Sequence, residues 1–283
     1  MQIAIASGKG GTGKTTVATN LAYFLREYEQ KNVTLIDCDV EEPNSHLFFN
    51  PIWQTSEKIT VPVPIVNHDN CTGCGKCADI CEFNAIACIK GKVLVFPELC
   101  HGCGGCVLVC PEGAITEGER EIGYAEAGES NGLKIKHGRL RVGEAMSPPL
   151  IKAVRGSISK DELVLIDCPP GTSCPVIQAI RDCDFVLLIT EPTPFGLNDL
   201  KLAVEMVREL GLPFAVGINR STIGDRAVWD YCAEENIPII LEIPNDRQIA
   251  EAYSRGKLLL QVLPHYKKNF ANLFEYLKGV VAC

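Results

Sequence analysis

Two sets of residues in this chain could do chemistry, and in both the spacing matters as much as the residue types. The first is the stretch SGKGGTGKTT at positions 7–16. Read as Gly8-x-Gly10-x-x-Gly13 it is a dinucleotide-binding fingerprint; read as Gly8-x-x-x-x-Gly13-Lys14-Thr15 it is a phosphate-binding P-loop. The second is a doubled run of thiols, Cys71-x-x-Cys74-x-x-Cys77-x-x-x-Cys81 and Cys100-x-x-Cys103-x-x-Cys106-x-x-x-Cys110-Pro111. In a reducing compartment fifteen cysteines, nine of them between residues 71 and 110, point to metal rather than to disulfides. Zinc sites want pairs of ligands rather than the run CxxCxxCxxxC twice over.

The glycine loop is decided by what surrounds it. For a dinucleotide speaks Asp37, which ends the next apolar run about twenty residues on, where a ribose-binding acid would sit. Three features outweigh it. Lys14 supplies an ammonium for the β- and γ-phosphates and Thr15 a hydroxyl for Mg²⁺, neither of which a dinucleotide needs. A second apolar run, LVLIDCPPG, ends in Asp167, the expected place of a carboxylate that holds Mg²⁺ through water. Asp37 and Asp39 form an acidic pair where a carboxylate could orient attacking water. The loop residues Gly8, Lys9, Gly10, Gly11, Thr12, Gly13, Lys14, Thr15 and Thr16 are therefore read as a site for ATP or GTP with Mg²⁺.

These residues need a scaffold, and the chain alternates strand and helix to provide one. QIAIAS, NVTLIDCD, ELVLIDCPPG, DFVLLITEP, PFAVGINR and IPIILEIPN read as buried parallel strands. Helical patterns are expected at 14–29, 173–182, 197–210, 223–235 and 245–255. A last helix at about 265–281 lines up Phe270, Leu273, Phe274, Leu277 and Val281 as a stripe that docks on the sheet. The fold class is α/β, a mostly parallel sheet with helices on both faces. Residues 57–118 interrupt the alternation, introduced by the two prolines of VPVPIVN, and the α/β pattern resumes near residue 147. The stretch between, REIGYAEAGESNGLKIKHGRLRVGE, reads as a β-ribbon with turns at SNG and HG. The expected domains are thus 1–56 with 119–283, and an insertion at 57–118.

Composition narrows the partners. The formal charge of −8 speaks against broad binding to nucleic acid, and no apolar run is long enough to span a bilayer. The short apolar N-terminus lacks the basic start of a signal peptide, so the chain is expected in the cytoplasm.

The second lysine in the loop, Lys9, carries a resemblance. KGGTGKTT resembles the deviant Walker A motif of the MinD/ParA/nitrogenase-iron-protein ATPases, and DCDVEEPN and DCPPGTSCPV are similar to the two switches of that family. The resemblance implies a MinD-like P-loop fold and a nucleotide-sandwich dimer, homo- or heterodimeric with a related ATPase. Lys9 would reach the partner subunit's ATP while Lys14 and Thr15 serve their own. It makes Asp39 the better candidate for water activation, and Asn219, in INR, an adenine contact. The cysteine runs resemble those of bacterial two-cluster ferredoxins, in which three cysteines wrap one [4Fe–4S] cube and the fourth ligates the other. Carried over, Cys71, Cys74, Cys77 and Cys110 hold one cluster, and Cys100, Cys103, Cys106 and Cys81 the other, in an inserted α+β ferredoxin-like domain. Glu82 departs from the pattern, standing where proline usually follows the fourth cysteine. Of the remaining cysteines, Cys38, Cys88, Cys168, Cys174, Cys183, Cys232 and Cys283, most read as small core residues. Cys174 follows Asp167 by the spacing at which the nitrogenase iron protein carries a cluster ligand, though that protein's other cluster cysteine has no evident counterpart here.

The function expected from these readings is an ATP-dependent iron–sulfur protein. ATP binding and hydrolysis, with ADP as product, would gate electron transfer or cluster delivery to a redox partner or iron–sulfur acceptor protein. The alternative is a positioning ATPase of the MinD/ParA kind whose insertion only docks a partner.

Overall fold

The computed structural model describes residues 1–156, 158 and 162–280 and the backbone of residue 281; Cys283 and the side chain of Val281 lie outside the described residues. Among the described residues eleven strands run in chain order: β1 Gln2–Ala6, β2 Val33–Asp37, β3 Ile52–Val66, β4 Ile86–Ile89, β5 Lys92–Val95, β6 Ile115–Ser130, β7 Leu133–Leu140, β8 Leu163–Asp167, β9 Phe185–Thr190, β10 Phe214–Asn219 and β11 Ile239–Ile243. Nine form one sheet in the order β11-β10-β9-β1-β8-β2-β7-β6-β3, and β4 and β5 form an antiparallel hairpin. The pairs from β11 through to β7 are all parallel. The strands β1, β2, β8, β9 and β10 are buried along almost their whole length, which explains why they read as uninterrupted apolar runs.

The chain divides into two compact units. One comprises Met1–Ser56, Ala125–Arg139 and Ile151–Cys283; the other comprises Glu57–Tyr124 and Leu140–Leu150. Residues 119–124 and 140–150 thus group with the second unit. The long strands β3 and β6 belong to both, β3 up to Ser56 and β6 from Ala125 lying in the first.

In the first unit the loop after β1 leads into the helix Lys14–Glu27, whose Val17, Leu21, Phe24 and Leu25 pack on the sheet. Pro148–Arg155 and Leu259–Val262 are helices that the sequence pattern does not single out, while the later expected helices fall near their places, at Cys174–Ile180, Pro194–Glu209, Ala227–Glu234, Arg247–Ser254 and Lys267–Val281. The last buries Phe270, Leu273, Phe274 and Leu277 against a core that includes Leu241 and Ile243. One sequence expectation differs from the structure. SNG is a turn, between β6 and β7, but His137-Gly138 is not; both lie inside β7, where His137 is the register partner of Asp37. Pro62 and Pro64 lie within β3, in the unit that begins at Glu57. Proline is tolerated there because β3 is the last strand of the sheet order, and an edge strand can forgo ladder donors.

The second unit contains two small apolar clusters, one built on Cys77, Ile86, Val93 and Ile115, the other on Val63, Ala85 and Cys100. Two one-turn helices, Lys76–Asp79 and Gly105–Leu108, repeat each other. Each is preceded by a left-handed glycine, Gly75 at φ 81° and Gly104 at φ 72°, a conformation that other residues adopt only with strain.

Candidate nucleotide and thiolate sites

Asp37, Asp167, Glu191 and Asn219 stand at or just past the carboxyl ends of β2, β8, β9 and β10, around the glycine loop that follows β1. In an open parallel sheet this is the end at which ligands bind. The loop is held from outside. Asn219 Nδ2 donates to Thr12 O at 2.8 Å, and a Cβ on Gly13, whose φ is +99°, would lie 2.3 Å from that nitrogen. A Cβ on Gly8 would lie 2.1 Å from the carbonyl oxygen of Asp199, so a side chain there would push the loop off the helix that carries Asp199. Ser7 Oγ donates to Lys9 O, and Thr19 Oγ1 and Asn20 Nδ2 donate to the carbonyls of Thr15 and Thr16, fixing the first helical turn. Gly10 and Gly11 leave the loop backbone open: a Cβ on Gly11 would touch nothing, and Gly10 has only Pro170 beside it.

Lys14, the first residue of the helix, is buried, and its charge stabilises the carboxylates of Asp39 and Asp167. Asp37 is wholly buried and accepts from the backbone N–H groups of Asp39, Asn44 and Ser45 at 3.0, 3.0 and 2.9 Å. Asp37 therefore organises the loop that carries Asp39. Burial and the nearby Asp37 charge push Asp39 up to about 6. Burial also raises Asp37, and burial with the Asp37 charge pushes Asp167 up to about 8. Two buried carboxyls side by side call for a cation. Asp167 Oδ1 is buried with no partner in hydrogen-bond geometry, although the hydroxyls of Thr15 and Ser45 help stabilise the carboxylate. Thr15 and Asp167 thus fit Mg²⁺.

Lys9 is engaged within its own chain, Nζ lying 2.5 Å from Glu191 Oε1. Glu191 Oε2 also pairs with Arg220 Nη1 at 3.3 Å. The sequence gives Glu191 and Arg220 no chemical role of their own, although they stand in EPTPFGLNDL and INR, stretches that resemble the ATPase family. Glu191 follows β9 directly, at the same end of the sheet as the other site residues. Asn219, expected at an adenine, spends its amide on Thr12 O and accepts from Arg220 N at 3.0 Å.

In the second unit the eight motif cysteines fall into two groups of four. One pocket is lined by Cys71, Cys74, Cys77 and Cys110, and another by Cys81, Cys100, Cys103 and Cys106. In each, a thiol distant in sequence joins a contiguous three. Backbone N–H groups already point at the sulfurs: Gly102 N donates to Cys100 Sγ at 3.4 Å and Ala114 N to Cys110 Sγ at 3.3 Å. Burial pushes the Cys77 and Cys106 thiols up, so their thiolates need positive charge beside them. Among the described residues no group of three or more His, Cys, Asp or Glu converges as a single ion would require. A four-iron cube takes one thiolate at each iron, and four cysteines line each pocket, so the donor set suits such a group. Cys174 is exposed and lies in the first unit. Among the described residues no helix is long and apolar enough to cross a membrane.

The parallel sheet, the glycine loop between β1 and its helix, and the buried carboxylates at the strand ends define a P-loop nucleotide-binding protein. The chain belongs to the CobQ/CobB/MinD/ParA nucleotide-binding domain family, whose profile matches residues 3–260. Two uncharacterized proteins of Methanocaldococcus jannaschii are 34% and 31% identical to it, over 99% and 96% of this chain and 98% and 97% of theirs. An iron-sulfur cluster carrier protein of Aquifex aeolicus is 24% identical over 99% of this chain and 66% of its own length. In fold the chain is similar to the septum site-determining protein MinD of Pyrococcus horikoshii solved with Mg-ADP, with a TM-score of 0.59, 23% identity and coverage of 98% and 95%.

Proposed function

We propose that this chain is an ATP-dependent iron–sulfur protein of the MinD/ParA class, in which the nucleotide state of the first unit governs the redox or transfer behaviour of the second. The observation that carries the reading is the sorting of eight cysteines into two four-thiol cavities. The iron-sulfur carriers among its distant relatives support it.

Cys71, Cys74, Cys77 and Cys110 would hold one [4Fe–4S] cluster and Cys81, Cys100, Cys103 and Cys106 the other. When bound, the clusters supply one-electron redox chemistry or the cargo for an acceptor. Thr15 and Asp167 would hold Mg²⁺, which neutralises phosphate charge.

The chain's own residues divide the nucleotide work. Loop N–H groups and Lys14 bind the phosphates of ATP. Asp39 orients water for attack on the γ-phosphate, releasing ADP. Lys9 leaves Glu191 to reach the nucleotide of a second subunit across a sandwich dimer. The dimer, the redox or acceptor partner and a cytoplasmic setting are parts of this proposal.

The test is anaerobic purification with iron and sulfide analysis, followed by an ATPase assay with Mg²⁺. About eight irons per chain and Mg²⁺-dependent hydrolysis are expected. Bound zinc, or four or fewer irons after full reconstitution, contradicts the reading.

A further inference from the structure

Two site carboxylates and a histidine stand in one row across three parallel strands. Asp37 of β2 is the register partner of Asp167 in β8 on one side and of His137 in β7 on the other. The single turn Ser45–Phe48 spans this row. Ser45 is wholly buried and ties the two carboxylates together: its Oγ donates to Asp167 Oδ2 at 3.1 Å and its N to Asp37 Oδ2 at 2.9 Å. His46, the next residue, meets His137 edge-on, ring centres 5.0 Å apart at 87°. His137 bonds through Nε2 to Glu126 Oε2 at 2.9 Å and lies against Trp53 with ring centres 4.4 Å apart. Ser56 Oγ donates to Glu126 Oε1 at 3.0 Å. Trp53 and Ser56 are in β3 and Glu126 in β6, the strands whose other ends belong to the second unit.

We propose that Ser45 is a positioning residue for the nucleotide reaction, and that the Ser45–His46 turn passes the state of Asp167 through His137, Trp53 and Glu126 to the first-unit ends of β3 and β6. The inference rests on the nucleotide reading above and names the residues that would transmit it. A cation that draws on Asp167 competes with the Ser45 hydroxyl for the same carboxylate. His46 shares the turn with Ser45 and must follow it. The ring contact is the part that can change, because ring–ring attraction depends on orientation. The Nδ1 atoms of both histidines are buried without partners, so no second hydrogen bond pins either ring. Coupling needs an element that both ends bias, and this turn contacts both.

The test is hydrogen–deuterium exchange on the full chain, purified anaerobically, without nucleotide and with MgATP. In the wild type, exchange in peptides covering 52–56 and 125–139 should change by more than about twofold on MgATP binding. Ser45→Ala should still bind MgATP but lose that change, and Ser45→Thr should restore it. His46→Ala, outside the phosphate site, should keep nucleotide binding and lose the change too, which keeps the test open if Ser45→Ala misfolds. Equal responses in wild type, Ser45→Ala and His46→Ala overturn the proposal, as does a wild type that binds MgATP without any response in these peptides. The readout does not involve iron: a chain that shows the response but holds no clusters refutes the iron–sulfur reading and leaves the relay standing. A wild type that binds no nucleotide refutes both.

Discussion

Lys9 Nζ lies 2.5 Å from Glu191 Oε1, so the lysine proposed to serve a second subunit is held by its own. The pair is partly solvated, with side-chain exposures of 27% and 12%. Pairs of this kind contribute roughly 0.2–1 kcal/mol, so the contact biases Lys9 without locking it. Glu191→Gln should therefore tighten ATP-dependent dimerisation by about 1.4- to 5-fold, measured by sedimentation in an Asp39→Ala background. Weaker dimerisation would show that Glu191 acts across the interface instead.

The two loop lysines should separate. Lys14→Ala should abolish nucleotide binding, because Lys14 is buried at the helix start beside the phosphate site. Lys9→Ala should bind ATP and lose hydrolysis and dimer closure. Isothermal titration with paired turnover assays distinguishes them, and equal loss of binding in both would count against a role in trans.

Hydrolysis should follow the protonation of Asp39. The carboxyl must be ionised to orient and accept a proton from water, and its pKa is raised to about 6. The rate should thus be level above that value and fall as pH drops through it, by about tenfold for each further unit. Bound Mg²⁺ would pull the midpoint down. Asp39→Asn should be slow throughout and show no such limb, whereas a wild-type rate in Asp39→Asn would move the role elsewhere.

Crossed ligation makes a prediction about distant thiols. Cys77 and Cys110 are 33 positions apart yet line one cavity. Cys77→Ser and Cys110→Ser should perturb the same cluster signal in paramagnetic resonance, and Cys81→Ser should perturb the other with Cys106→Ser. A signal shared by Cys81→Ser and Cys77→Ser would instead indicate that each contiguous run holds its own cluster.

What could be read in the sequence followed from short-range pattern. The strands β1, β2, β8, β9, β10 and β11 are apolar runs ended by polar or glycine-rich loops, and two-sided burial makes such runs unmistakable. The SNG turn was legible as local chemistry, whereas His137-Gly138 misled because glycine was read as a turn inside a strand. The long-range pairs left no local trace. Lys9 and Glu191 are 182 residues apart, and Ser45 and Asp167 are 122 apart. Such contacts are created by sheet order, which strand patterns alone do not specify. The grouping of the cysteines was legible because the CxxCxxCxxxC spacing repeats in the sequence itself, and four of them line each of two pockets.

The central claim, that nucleotide state governs the second unit, is tested most directly by redox titration of the anaerobically purified chain in three states: nucleotide-free, with ADP, and with ATP trapped in Asp39→Ala. If nucleotide and reduction are linked, the reduction free energy must differ between states. A coupling of ~1–3 kcal/mol corresponds to a shift of roughly 40–130 mV for a one-electron couple. The account predicts a shift of that size with trapped ATP, and its loss when Lys9→Ala is added. Potentials that agree within error across all three states would contradict it.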